Sequence, residues 1–283
     1  MTDVYGIIGH PVGHSRSPAM HNRAFAALGI DAIYVPFAVT PDRLEQAVRG
    51  IRGLDLRGMN ITLPFKTAII ELLDSVEPDA RAIGAVNTIV RDGPKLCGTN
   101  TDASGLARAL AEAGAPLHGS RATVLGAGGA ARACVVGLAR AGAREITIAA
   151  RNAAETVALI AELATAAKPA LLTCCEWQPA ALGVALAATD LLVQATSATL
   201  NGGVVAEAFA RALPLHCLPQ HAVVVDIVYH PLETSVLQAA RAQGLKTLDG
   251  LGMLLHQAAL SFELWIGRAA PLTEMRAALL ELG

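Results

Sequence analysis

The chain lacks any run of basic residues: Lys and Arg total 22 against 24 acidic residues, for a net charge of -2. Without a basic stripe or tail, no nucleic-acid partner is expected. Apolar stretches are interrupted by Arg, Asp, Gln or Gly before reaching spanning length, so no membrane span is expected either. The opening MTDVYGIIGHP has neither a basic start nor a long apolar core, so no secretory leader is expected there. The five cysteines, Cys97, Cys134, Cys174, Cys175 and Cys217, form no C-x-x-C spacing, and their number is odd. Reduced thiols in a cytoplasmic protein are the expectation. The eight histidines form no H-E-x-x-H or similar cluster, so no metal site is expected. Repeats and low-complexity tracts are missing too.

What is present is apolar and α/β in pattern. Apolar residues make up 53% of 283, enough for a sizeable core and long enough for two domains. Strand-like and helix-like segments alternate, which predicts parallel sheets with helical crossovers. Strands are expected at 4–8, 33–38, 58–62, 121–125, 145–150, 190–195 and 223–227. A short hairpin is expected from 87–90 and 95–98 around Asp92-Gly93. Helices are expected at 17–28, 41–50, 67–73, 104–113 and 129–141, and from Leu251 onward. For the first of these, Ser17 is the expected N-cap, Pro18 the first helical residue and Gly29 the stop.

The segment TVLGAGGAAR follows a strand, opens a helix and fits G-x-G-x-x-A at Gly126, Gly128 and Ala131. Gly126 permits the tight turn, Gly128 lets the backbone approach a pyrophosphate, and Ala131 lets helix and strand pack closely. The helix N-terminus offers amides and a positive dipole end to phosphates. The next strand ends at Ala150-Arg151-Asn152, where an NAD enzyme usually carries an acid. Arg151 can pair with a 2′-phosphate, which points to NADP, with NAD left open as a second cofactor.

Three other segments carry polar residues in apolar surroundings. GHSRSPAMH places Ser15 and Ser17 where a helix begins, suited to a carboxylate. GMNITLPFK carries Asn60, Thr62 and Lys66; a lysine held partly away from water exchanges protons closer to neutrality. AVNT and GTNTDASG carry Asn87 and Asp102. Asp102 can cap the following helix or orient Lys66.

The stretches HSRSP, NITLPFK, GAVNT, NTD, GAGGAAR, DIVYHPLET and DGLGMLLHQ together resemble the shikimate dehydrogenase family, in its order and spacing. The resemblance implies an α/β substrate domain over 1–103, completed by helices over 250–283, and a Rossmann-like doubly wound NADP-binding domain over 104–249. It implies reversible hydride transfer between NADP and shikimate, a step of aromatic amino-acid biosynthesis. The catalytic pair would be Lys66 and Asp102. Substrate would be held by Ser15, Ser17, Asn60, Thr62, Asn87, Tyr229 and Gln257. NADP would be held by Gly126, Ala127, Gly128, Gly129, Ala130, Arg151, Asn152, Ile227 and Gly250. Partners would be small molecules, with the chain a monomer or homodimer. Two departures fall in the cofactor domain. Glu155 stands where the family usually carries a second basic residue, and Gln194-Ala195-Thr196-Ser197 replaces the usual Asn-Ala-Thr-Ser. The alternatives are an NAD-linked quinate or quinate/shikimate dehydrogenase, and a catalytically weak ligand-binding regulator.

Overall fold

A computed structural model describes residues 1–281. The chain divides into two units, one of Met1–Thr101 with the segment from Leu254 onward, the other of Asp102–Met253. The joints lie at 101/102 and 253/254, displaced by a few residues from the 103/104 and 249/250 boundaries the sequence suggested.

The first unit begins with β1 (Asp3–Gly9), α1 (Ser17–Ala27), β2 (Ala32–Ala38), α2 (Leu44–Gly53) and β3 (Gly58–Ile61). It continues with β4 (Ser75–Val76), α3 (Pro78–Ile83), β5 (Thr88–Asp92) and β6 (Lys95–Thr99). The second unit holds α4 (Asp102–Glu112), β7 (Arg121–Leu125), α5 (Gly129–Arg140), β8 (Glu145–Ala150), α6 (Ala153–Leu163) and β9 (Leu171–Glu176). Then come α7 (Pro179–Ala187), β10 (Leu191–Gln194), α8 (Gly203–Ala212), β11 (Val223–Asp226), α9 (Ser235–Arg241) and β12 (Lys246–Leu248). The chain closes with α10 (Leu251–Ile266), which crosses the second joint, and α11 (Leu272–Leu280).

The first sheet has order β2-β1-β3-β5-β6-β4. β1 pairs parallel with β2 and β3, whereas β5 is antiparallel to both β3 and β6, forming the expected hairpin. Ile8, Met59, Ile61, Phe65, Ile69, Ile89 and Leu96 form its core with α2 residues Val48 and Ile51. In this unit α11 packs on α1, and Arg16 Nη1 donates to the Leu279 carbonyl at 3.2 Å.

The second sheet is parallel throughout, with order β12-β11-β10-β7-β8-β9. From β7 the chain winds outward through β8 and β9, then returns to the other side of β7 with β10. The connections therefore reverse direction between β7 and β10. In a doubly wound sheet, ligands bind outside the carboxyl ends of the strands at such a switch point.

Three local expectations are corrected. Arg16, not Ser17, is the N-cap of α1, so Ser17 is the first helical residue and Pro18 the second. Ser15 Oγ accepts the Ser17 amide at 3.3 Å, so the hydroxyl serving the helix start is two residues earlier than expected. Gly29 does follow the helix end in a left-handed conformation (φ 64°). Residues 67–73 form only a short 3-10 turn, Ala68–Leu72, with i→i−3 bonds from Ile70 N–H to Thr67 O (3.3 Å) and Leu73 N–H to Ile70 O (3.5 Å). Residues 41–50 divide into a 3-10 turn, Pro41–Arg43, and α2. Among the described residues no helix is long and apolar enough to cross a membrane.

Candidate active site

In the first unit three of the expected substrate residues, Asn60, Asn87 and Gln257, belong to a buried polar web. Tyr34 OH on β2 donates to Asn60 Oδ1 at 2.7 Å, which fixes the orientation of the Asn60 amide on β3. Asn60 Nδ2 then reaches Asn87 O (3.1 Å), Thr88 Oγ1 (3.1 Å) and Ser261 Oγ (3.0 Å). Asn87, which precedes β5, accepts at Oδ1 from Thr101 N–H (2.8 Å) and Thr88 Oγ1 (3.0 Å). Its Nδ2 donates to Thr101 Oγ1 (2.8 Å) and Gln257 Oε1 (3.3 Å). Gln257 Nε2 donates to Leu254 O within α10. Asn60, Asn87, Thr88, Thr101 and Ser261 are buried, so the low dielectric strengthens these bonds and makes each one costly to lose.

The web separates two kinds of residue. The Asn60 amide is taken up by protein partners on both its oxygen and its nitrogen, so Asn60 supports Asn87. At 3.3 Å the Asn87–Gln257 bond is longer than the 2.8 Å bond from Asn87 to the Thr101 hydroxyl. Thr88, Thr101, Ser261 and Tyr34 belong to the web although the sequence did not single them out. Ser15 is half-buried and Ser17 buried at the start of α1. Thr62 and Lys66, both half-buried, lie just past the end of β3, and the Lys66 carbonyl accepts from Val86 N–H at 2.7 Å.

A fully buried histidine lies beneath the same region. His21 of α1 stacks on Tyr34 with centroids 4.4 Å apart and planes 12° apart. Neither of its ring nitrogens has a hydrogen-bond partner. Burial pushes its pKa from 6.5 down to about 3.

In the second unit Asp102 is buried and is the first residue of α4, directly after Thr101 of the web. The glycine motif forms the strand–turn–helix that its spacing demands. Gly126 has φ 117°, a conformation reserved for glycine, and its N–H bonds Ala149 O at 2.8 Å. Gly128 is the N-cap of the 12-residue helix α5, with no side-chain cap. A Cβ built on Gly128 would meet nothing within 4 Å, so open space lies above the helix start. A dinucleotide phosphate fits these features: uncapped amides, a positive dipole end and room for close approach. Ala131, buried, packs the helix against the sheet. Gly250 meets the opposite situation: a Cβ there would lie 2.3 Å from Ile227 O and 2.8 Å from Val228 O. Glycine therefore lets the segment before α10 lie directly on the turn after β11, which carries Ile227 and Tyr229, both half-buried.

Arg151 is exposed at the end of β8. Asn152 is the N-cap of α6, its Oδ1 accepting from Ala154 N–H (3.1 Å) and Glu155 N–H (3.3 Å). Glu155 is exposed in the first turn. Below the turns that follow β10 and β11 lies a second buried cluster. Burial raises the carboxyl of Asp226 from 3.8 to about 6, against the lowering effect of bonds from Val228 N–H, Thr234, Thr199 and Gln194. Among the described residues no group of His, Cys, Asp or Glu could hold a metal.

A parallel sheet with a glycine turn at its switch point, joined to a unit with a buried Asn–Thr–Gln web, defines an α/β dinucleotide-binding enzyme class. Family models match nearly the whole chain. They are the shikimate dehydrogenase substrate binding domain over residues 7–89, shikimate / quinate 5-dehydrogenase over 107–251 and the shikimate 5'-dehydrogenase C-terminal domain over 250–280. The NADP(+) shikimate dehydrogenase of Symbiobacterium thermophilum is 46% identical over 280 residues, covering 98% of this chain and 93% of that protein. Shikimate 5-dehydrogenase of Thermus thermophilus, solved with NADP(H) and shikimate, superimposes with a TM-score of 0.85 at 36% identity, covering 99% of each chain. Quinate dehydrogenase of Corynebacterium glutamicum, solved with NAD, gives a TM-score of 0.86 at 31% identity, also covering 99% of each chain. The chain belongs to the shikimate dehydrogenase family.

Proposed function

We propose that this chain interconverts shikimate and 3-dehydroshikimate with NADP(H). The observation that carries the reading is the 46% identity to an NADP(+) shikimate dehydrogenase along 98% of the chain. The open, uncapped start of α5 supports it independently. When bound, NADP(H) supplies the hydride acceptor or donor. It would be held by the Gly126–Ala130 turn on its pyrophosphate, by Arg151 and Asn152 on the adenosine side, and by Ile227 and Gly250.

The remaining work falls to this chain's own groups. In oxidation, the substrate hydroxyl gives its proton to Lys66 Nζ as the ring carbon loses hydride, and a carbonyl forms. In reduction, Lys66 returns the proton. Asp102 orients Lys66 and supports its charged form. Ser15 and Ser17 donate hydrogen bonds to the substrate carboxylate beside the α1 N-terminus, whose dipole favours an anion. Asn87 Nδ2 exchanges its 3.3 Å bond to Gln257 for a ring hydroxyl, with Gln257, Thr62 and Tyr229 engaging the rest of the substrate. Asn60 holds Asn87 in place. An odd number of cysteines without C-x-x-C spacing supports a reducing compartment, the cytoplasm. The test is NADPH formation from shikimate by the purified chain, with Lys66→Ala as control. Turnover that depends on Lys66 supports the assignment; no turnover with any pairing of acid and cofactor overturns it.

A further inference from the structure

Three adjacent strands of the second unit end on one rung. Leu125 of β7, Gln194 of β10 and Asp226 of β11 are register partners at their carboxyl ends. The next residues of each strand form the turns above the switch point. Gln194 and Asp226 are both fully buried and touch each other, Gln194 Nε2 lying 3.4 Å from Asp226 Oδ1.

From this rung the two side chains grip both turns. Gln194 Oε1 accepts from Thr196 N–H at 2.6 Å, and its Nε2 donates to Thr196 O and Thr199 Oγ1, each at 3.0 Å. Asp226 Oδ1 accepts from Val228 N–H at 3.0 Å and Oδ2 from Thr234 Oγ1 at 2.8 Å. Thr199 bonds the same carboxyl, joining the turn after β10 to the turn after β11. The two turns are linked again where Asn201 N–H donates to His230 O at 3.1 Å. The first turn presses on the glycine motif: a Cβ on Gly126 would lie 3.1 Å from Thr196 Cγ2 and 3.2 Å from Ala195 O. The second carries Ile227. The partners of this buried carboxyl are an amide, two hydroxyls and a backbone N–H, with no cation among them. Such a group is costly to keep for stability alone.

We propose that Asp226 and Gln194 are positioning residues for the dinucleotide, locking the turns after β10 and β11 into one floor beside the Gly126 turn; this rests on the NADP-binding reading above. They act through the turns and are not catalytic. Gln194 stands where the family usually carries Asn, and its extra methylene extends the amide to Thr199 and the carboxyl.

The test compares NADPH affinity, by cofactor fluorescence titration, with melting temperature and with kcat at saturating cofactor. The full chain is used with Asp226→Asn, Thr234→Val and Thr234→Ser. Thr189→Val is the stability control: Thr189 makes a buried 2.7 Å hydroxyl pair with Thr123, before β10 begins. Asp226→Asn and Thr234→Val are expected to weaken NADPH binding on the order of 3–30-fold, with kcat little changed. Thr234→Ser keeps the hydroxyl and is expected to stay near wild type. Thr189→Val is expected to lower the melting temperature without moving the affinity. Unchanged NADPH affinity in both Asp226→Asn and Thr234→Val overturns the inference, as does an equal loss in Thr189→Val or no NADPH binding by the wild type. Should one of the two variants fail to fold, the other decides. Wild type that binds NADPH but does not oxidise shikimate overturns the proposed reaction and leaves this inference standing on the affinities.

Discussion

Replacing His21 by Leu should remove one proton from the pH dependence of folding in the first unit. His21 is fully buried with both ring nitrogens unpartnered, and its pKa lies near 3 in the folded chain against 6.5 when unfolded. As pH falls below 6.5 the unfolded chain takes up a proton that the folded chain refuses. Stability is therefore complete above the unfolded value and declines as pH falls toward the folded one. Each unit of difference is worth about 1.4 kcal/mol, so the full span is bounded near ~5 kcal/mol, and the loss from about pH 7 to about pH 5 is ~2 kcal/mol. The stacked Tyr34 ring, 4.4 Å away, and Trp265, 5.3 Å away, offset part of the full-span cost by stabilising the imidazolium through their π faces. Asp226 contributes the opposite slope. Its folded pKa is raised from 3.8 to about 6, so its contribution is lost as pH rises through that window. It titrates alike in wild type and His21→Leu, so the difference between the two isolates His21. The assay is urea unfolding followed by Trp265 fluorescence, in a Trp177→Phe background that silences the second tryptophan. The stability gap between the parent and His21→Leu should shift by ~2 kcal/mol in favour of Leu between about pH 7 and about pH 5. Parallel curves would refute the reasoning, because they would mean that the folded state protonates His21 as readily as the unfolded chain does.

Lys66→Ala should lower kcat about 10²–10⁴-fold while NADPH affinity stays unchanged, checked by steady-state kinetics and titration; near-normal kcat removes Lys66 from proton transfer. Ser15→Ala and Ser17→Ala should each raise KM for the acid by the equivalent of about 1.5–3 kcal/mol, and unchanged KM in both would place the carboxylate elsewhere. Of the two, only Ser15→Ala should also lower the melting temperature, because Ser15 holds the first helical amide. Gly128→Ala should fold normally and lose NADPH binding, since its Cβ enters open space. Gly250→Ala should destabilise the second unit, since its Cβ meets the Ile227 backbone; equal melting temperatures for the two contradict this. Arg151→Ala should weaken NADP use more than NAD use and Glu155→Arg should strengthen it, read as kcat/KM for each cofactor.

The fold was legible where periodicity and local chemistry agree. TVLGAGGAAR could be assigned as strand, turn and helix from its local pattern, and the structure shows the tight turn at Gly126, where φ is 117°. The α1 cap was misread by one residue because Ser17 is a suitable capping type, whereas backbone geometry puts Arg16 at that position. The 3-10 turn at Ala68–Leu72 was read as a helix because its length and composition permit one; only its i→i−3 bonds, Ile70 N–H to Thr67 O and Leu73 N–H to Ile70 O, distinguish the two. The role of Asn60 was not legible. Its type and motif suggested a ligand contact, but its partners Tyr34 and Ser261 lie 26 and 201 residues away. The Gln194–Asp226 rung escaped for the same reason: strand register brings them together across 32 residues, and no local pattern encodes it.

The most direct test of the central claim is a single table of kcat/KM for shikimate and quinate, each with NADP and with NAD. The account predicts the highest value for shikimate with NADP, from an open glycine turn, an Arg151 at the end of β8 and no acid at Ala150. A highest value for quinate with NAD would contradict it.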